Sequence, residues 1–205
     1  MTRILLLRHG QSEWNAVGRW QGQADPPLSK LGQEQAYEAS LKLGTVDAIV
    51  ASDLERAMHT AQILSAQLGV GPVVVEPLLR ERHAGEWSGL TTEEIEERFP
   101  GYLERGERPP GWEDDEVLLE RTHQALAAID RNYPGGEILV VAHGGLVYAL
   151  EREHLPDATR ERLPNLAGRW LTITGDRIVL GDRLVLVEEQ VDTASPAWAA
   201  HRRVI

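Results

Sequence analysis

Residues 4–7 (Ile-Leu-Leu-Leu) form an unbroken apolar run closed by Arg8-His9-Gly10. A strand with one wet face would alternate, so a continuous run predicts a strand covered on both sides. Comparable runs recur at 47–51, 73–75 and 138–141. Between them the period changes to that of a helix. Residues 29–43 carry apolar side chains at helical spacing, and 54–68 places Leu54, Ala57, Ala61 and Leu68 on one face. Further helices are predicted over 92–98, 115–132 and 146–153, while the prolines and glycines of GERPPGWEDD make 100–113 an insertion loop. Two late runs, 170–174 and 178–187, flank Gly175-Asp176, a hairpin signal. Alternating strands and helices imply an α/β fold: a three-layer sandwich with a mainly parallel central sheet flanked by helices. At 205 residues the chain suits one domain over 1–205, with a small insertion or cap near 91–115.

Charge and composition narrow the partners. A formal net charge of −11, with no basic stripe, would repel nucleic acid, so an anionic ligand needs a local positive pocket. No apolar run approaches the ~20 residues of a membrane span, and MTRILLLRHG is too short a start for a secretory signal. The expectation is therefore a cytoplasmic protein with neither membrane nor nucleic-acid partner. The chain has no cysteine, so His, Asp, Glu and Ser are its reactive side chains. His59, His83 and His123 are far apart in sequence and form no metal-ligand spacing, which predicts no catalytic metal and no cofactor. EEIEER and EDDE read as solvated helix faces. Of the six Trp, Trp87, between Gly85 and Gly89, is expected near a ligand entrance, and the others in packing.

Ligands of parallel sheets bind at the carboxyl ends of strands, where Arg8, His9 and His143 all fall. There a guanidinium fork offers paired donors to phosphate oxygens, and a neutral imidazole beside it is a nucleophile for phosphorus. Cationic surroundings favour that neutral form. The tripeptide by itself is equally a polar strand terminus.

Four further segments join it: GQADPPLSKLG (22–32), SDLERAMHTA (52–61), LRERHAGEWSGL (79–90) and VVAHGG (140–145), after LRHGQSEWN (7–15). In this order, over about residues 4–150, the chain resembles the histidine phosphatase superfamily, in its phosphoglycerate-mutase-like branch. The resemblance implies catalysis through a phosphohistidine: His9 as nucleophile, and Arg8, Arg56 and His143 holding the phosphoryl oxygens. It also implies Glu81 as proton donor to the leaving oxygen and then base for water. Glu76 and Glu86 compete with Glu81 on chemistry alone, and the E-R-H-x-G wording selects Glu81. Asn15 is either a phosphate contact or a turn former.

The resemblance implies a histidine acid-type phosphatase, a metal-independent phosphoric monoester hydrolase acting on small-molecule phosphate esters. The alternatives are phosphoglycerate mutase-type transfer and a non-catalytic phosphate-binding regulator. Mutases of the family generally place an aromatic and a Lys where this chain has Ala84 and Thr92, and an Arg pair where it has Arg105 and Arg108, which favours hydrolysis. G-x-W-x-G is phosphatase-like, but Gly111-Trp112-Glu113 replaces the usual G-E-S, so the ester is left open. The tail SPAWAAHRRVI can pack on its own chain or across a homodimer.

Overall fold

In the computed structural model, which describes residues 1–157, 161–175 and 177–188, the first apolar run is the middle of strand β1 (Thr2–Arg8). It lies beside β4 (Glu137–Ala142), and beyond β4 come β2 (Ala48–Ala51) and β3 (Val74–Val75), all parallel. On its other side β5 (Ala167–Thr174) and β6 (Arg177–Val185) are antiparallel, giving six strands in the order β3-β2-β4-β1-β5-β6. The expected mainly parallel sheet is thus present. The hairpin turn begins at Gly175, while Asp176 and the tail 195–205 lie outside the described residues.

The unbroken run in β1 has the expected cause. Ile4 and Leu6 face one apolar layer, with α6 (Asp115–Asn132) and α7 (Gly144–His154), through residues such as Leu118, Leu126, Leu146 and Leu150. Leu5 and Leu7 face the opposite layer, with Ala39 of α2 (Lys30–Ser40) and Ala57, Ala61 and Leu64 of α3 (Glu55–Leu68). Successive side chains point to opposite faces, so two covered faces demand apolar residues at every position.

Several boundaries differ from those read in sequence. Ser29 caps α2 rather than entering it, its hydroxyl accepting from Gly32 N–H, and Leu54 is an extended residue just before α3. β5 begins at Ala167, because pairing with β1 carries it past the mixed stretch before Trp170. Two four-residue helices had no periodic signal: α1 (Glu13–Ala16) and α5 (Tyr102–Arg105). α5 and α4 (Thr92–Arg98) lie in the segment expected to be an insertion, whose end is tied back by an antiparallel bridge between Ala84 and Trp112.

Candidate active site

The carboxyl ends of β1, β4 and β2 converge, and their hydrogen-bond ladders run one residue past the strands. His9 N–H donates to Ala142 O at 3.0 Å and Ser52 N–H to Val141 O at 3.0 Å. These backbone bonds hold His9, Ser52 and His143 at the sheet rim. Gly10 N–H then donates to Thr60 Oγ1 at 3.1 Å, fixing the turn after β1 against α3.

The protonation of His9 follows from its partners. Nδ1 lies 2.6 Å from Gly10 O, which only accepts, so Nδ1 carries the proton. Nε2 lies 3.2 Å from Arg56 Nε–H, which only donates, so Nε2 offers its lone pair. The imidazole is therefore neutral, with its unprotonated nitrogen facing a guanidinium. Burial first, and then the charges of Arg56 and Arg8, hold its pKa well below the ordinary imidazole value against the opposing bond to Gly10 O.

Arg56 stands in the first turn of α3 and is 0% exposed. Its terminal nitrogens donate at 2.8 Å each to Gly22 O and Ala24 O, leaving the ring-facing Nε to His9. Gly22 has φ +52°, the left-handed region, and a Cβ there would come within 2.8 Å of the Ala84 side chain, so the acceptor loop requires glycine. Among the described residues no carboxylate is within ion-pair distance of Arg56. Burial lowers its pKa to about 10, with Arg8 adding to the effect and Glu81 and Asp25 opposing it. Arg8 anchors one terminal nitrogen on Leu163 O, and its stem runs beside Gly144 at the start of α7.

His143 sits 5.2 Å, ring centre to ring centre, from His9, edge to face. Its Nε2 is 3.0 Å from Ser52 Oγ, which also accepts from Leu54 N–H and whose hydroxyl can donate to Nε2. In the tautomer that accepts this bond the ring proton is on Nδ1, a buried atom without a hydrogen-bond partner among the described residues. Burial, followed by Arg56, holds His143 well below the ordinary value too. A phosphoryl oxygen would satisfy Nδ1–H and bring the compensating negative charge.

Glu81 enters from the loop after β3. Its carboxylate accepts from Arg82 N–H at 2.7 Å and from Gly145 N–H at 3.1 Å. A Cβ on residue 145 would stand 2.1 Å from Glu81 Oε1, so the second glycine of VVAHGG makes room for the acid. Arg121 of α6 supports the loop from behind, donating to the carbonyls of Leu78, Arg80 and Glu81 while pairing at 2.7 Å with Glu113. Glu113 in turn accepts from His83 N–H at 2.9 Å.

The structure brings Arg8, His9, Arg56 and His143 together and places Glu81 against the first turn of α7. Asn15 is used locally: its Oδ1 accepts from Ser12 N–H in a capping box at the start of α1, and from Asn165, whose amide also donates to His9 O at 2.9 Å. Trp87 departs from its expected place at an entrance. It is fully buried, packed edge to face against Trp20 and Trp112 at 5.4 and 5.6 Å, so it is a packing residue. Sequence reasoning missed Ser52, Thr60, Arg121 and Asn165. The first two lie inside SDLERAMHTA, whose retained serine and threonine were the available signal.

Known proteins resemble the chain in both sequence and fold. The family model for the histidine phosphatase superfamily (branch 1) matches residues 4–182. A glucosyl-3-phosphoglycerate phosphatase of Mycolicibacterium vanbaalenii is 36% identical over an alignment of 209 positions, gaps included, that covers 88% of this chain and 87% of that protein. A metal-independent phosphoserine phosphatase of Arabidopsis thaliana is 35% identical over 160 residues, covering 73% and 67%. A solved structure of mycobacterial glucosyl-3-phosphoglycerate phosphatase complexed with VO3 superposes with a TM-score of 0.78 at 33% identity, covering 87% of this chain and 96% of that one. With this fold, these strand-end residues and a match across most of its length, the chain belongs to the histidine phosphatase superfamily, branch 1.

Proposed function

We propose that the chain is a phosphoric monoester hydrolase that cleaves small-molecule phosphate esters by way of a phosphohistidine on His9 and needs no metal ion. The observation that carries the reading is His9 itself, a neutral imidazole whose Nε2 lone pair faces the buried Arg56 guanidinium. In the first step Nε2 attacks phosphorus, a P–N bond forms and the P–O bond to the alcohol breaks. Glu81, entering protonated, gives its proton to the leaving oxygen. In the second, Glu81 takes a proton from water, the resulting oxygen attacks phosphorus, and the P–N bond breaks to release inorganic phosphate. Arg8, Arg56 and Nδ1–H of His143 hold the three equatorial oxygens, so fixed cations and dipoles supply the stabilisation that a metal supplies elsewhere.

Hydrolysis is favoured over mutase transfer by the surroundings of Glu81. A mutase must retain its intermediate and exclude water, which calls for extra contacts on the far end of the substrate. Ala84 is buried under the bridge to Trp112 and cannot reach a ligand, and Thr92 opens α4 with no cation in its place.

Rapid quenching with labelled ester should trap an acid-labile, base-stable phosphoryl group on His9, absent in His9→Ala. On the same preparation, phosphate release from a panel of monoesters should proceed without a bisphosphate primer and survive EDTA. A fully active His9→Ala enzyme would refute the phosphohistidine route. Exchange of 3- and 2-phosphoglycerate by NMR that outpaces hydrolysis would convert the reading to mutase, and activity restored only by a divalent ion would remove metal independence.

A further inference from the structure

In the sequence His123 stands far from the other histidines and suggests no metal site, yet folding changes its company. Packing of α6 against α7 brings its imidazole to the last turn of α7, where Glu153 and His154 are neighbours. Nε2 of His123 lies 2.9 Å from Glu153 Oε2, and Nε2 of His154 lies 3.1 Å from the same oxygen. The two rings are 6.5 Å apart, and the three ligand atoms fall within 4.8 Å of one another.

We infer that His123, Glu153 and His154 form a Zn²⁺ site that ties α6 to α7. Two imidazoles and one carboxylate are the donor set of open zinc sites, with water completing a tetrahedron, whereas Mg²⁺ and Ca²⁺ favour oxygen alone. Each imidazole already points its Nε2 at a common centre. In the free protein each Nε2 carries the proton it gives to Glu153 Oε2; as Zn²⁺ binds, the ring proton is held on Nδ1 instead, freeing the Nε2 lone pair, and small side-chain rotations convert the hydrogen-bond spacings to Zn–N and Zn–O bonds of ~2.0–2.2 Å. All three side chains are partly exposed, at 39%, 35% and 29%, so water has access to the remaining position. Glu153 is ten residues along α7 from His143, which puts the cluster ~15 Å from the catalytic end of that helix. The role is therefore mechanical. His123 follows Arg121, which supports the Glu81 loop, by two positions on α6, and α7 carries Gly145, so the ion clamps the two helices that present the acid.

The test is calorimetric titration of EDTA-treated, dialysed protein with ZnCl₂, alongside thermal unfolding. One equivalent should bind, and the Tm should rise by about 5–10 °C at free Zn²⁺ a hundredfold above Kd. His123→Gln, His154→Gln and Glu153→Gln should each weaken binding at least ~10-fold, as loss of a ligand does more than loss of a supporting contact. His123→Gln/His154→Gln should fold by circular dichroism yet show no Zn²⁺-dependent Tm rise. Co²⁺ in place of Zn²⁺ should give the intense visible absorption of a tetrahedral site. Binding of undiminished strength in the double variant, or no saturable binding to the wild type, would overturn the site. Phosphate release measured in parallel bears only on the phosphohistidine reading, so the two can fail separately.

Discussion

Arg56 and Glu151 are both buried charges on helices packed against the same sheet, and the protein treats them in opposite ways. Glu151, on α7 and 3% exposed, is matched: Arg169 reaches Oε1 at 2.7 Å, and Arg183 spans both oxygens at 2.7 and 2.6 Å. Burial acts to raise its pKa, but the bonds from Arg183 and Arg169 outweigh burial and hold the carboxyl below its ordinary value. Arg56 is buried more completely, and it faces carbonyl oxygens and a neutral imidazole instead of an acid. Its charge is left for a ligand. A buried charge with its counter-charge built in serves the fold, whereas one without it stores affinity for an anion at a cost to the free protein.

That contrast is broken most directly by exchanging what each region loses. Arg56→Met should lower phosphate-ester hydrolysis ~10³–10⁵-fold, the range seen when a guanidinium is withdrawn from a transferring phosphoryl group. It should also abolish any rise in Tm caused by inorganic phosphate. Glu151→Gln should keep both the activity and the phosphate response. It should cost about 2–3 kcal/mol, roughly 5–10 °C in Tm, a figure reduced from that of a fully buried pair because Arg169 and Arg183 retain some solvent. Steady-state kinetics and thermal melts with and without phosphate on the two variants decide it. Loss of the phosphate response in Glu151→Gln would show that the two regions are not separate.

A second measurement sharpens the comparison inside the catalytic end. In the proposed mechanism Glu81 is needed only where the leaving oxygen requires a proton. Glu81→Gln should slow alkyl phosphates by ~10²–10⁴-fold while sparing p-nitrophenyl phosphate, whose leaving group is stable as an anion. Equal losses on the two substrates would make Glu81 a positioning residue and turn attention to the exposed Glu86.

How much of this was legible in the sequence depends on where each group's neighbours come from. The strand ends were readable because one local rule, an apolar run stopped by Arg-His-Gly or by His-Gly-Gly, places Arg8, His9 and His143 without any tertiary knowledge. Arg56 and Glu81 required the family motifs, since a lone Arg on a helix and one of several nearby acids carry no period. Arg121 was invisible for a physical reason. Its three carbonyl acceptors lie 40 or more residues away, on a loop that acquires its shape only when docked on α6. Trp87 misled because flanking glycines suggest an open loop, whereas Gly85 serves close backbone approach: a Cβ there would meet Pro110 O at 2.3 Å. His123 and His154 are 31 positions apart and meet only through helix packing.

The smallest effect separates the two regions along the pH axis. His9 and His143 are held well below 6.5 in the folded chain and titrate near ~6.5 when unfolded. Below that pH the unfolded state takes up protons that the folded state refuses, so stability falls as pH drops, and is unaffected by these groups above about pH 7. Two such histidines predict a loss of about 1–1.5 kcal/mol between pH 7 and pH 6, and His9→Ala should remove roughly half of it. Glu151 acts elsewhere: its depressed carboxyl contributes stability above the ordinary 4.5, lost only as pH falls through the lower folded value. Inorganic phosphate should flatten the step between pH 7 and pH 6, because an anion bound at Arg8, Arg56 and His143 favours the protonated imidazole, and leave the acid limb unchanged. Denaturant melts at intervals of half a pH unit measure both limbs. A step between pH 7 and 6 that survives in His9→Ala/His143→Gln would assign it to other groups and detach the neutral imidazoles from the stability of the fold.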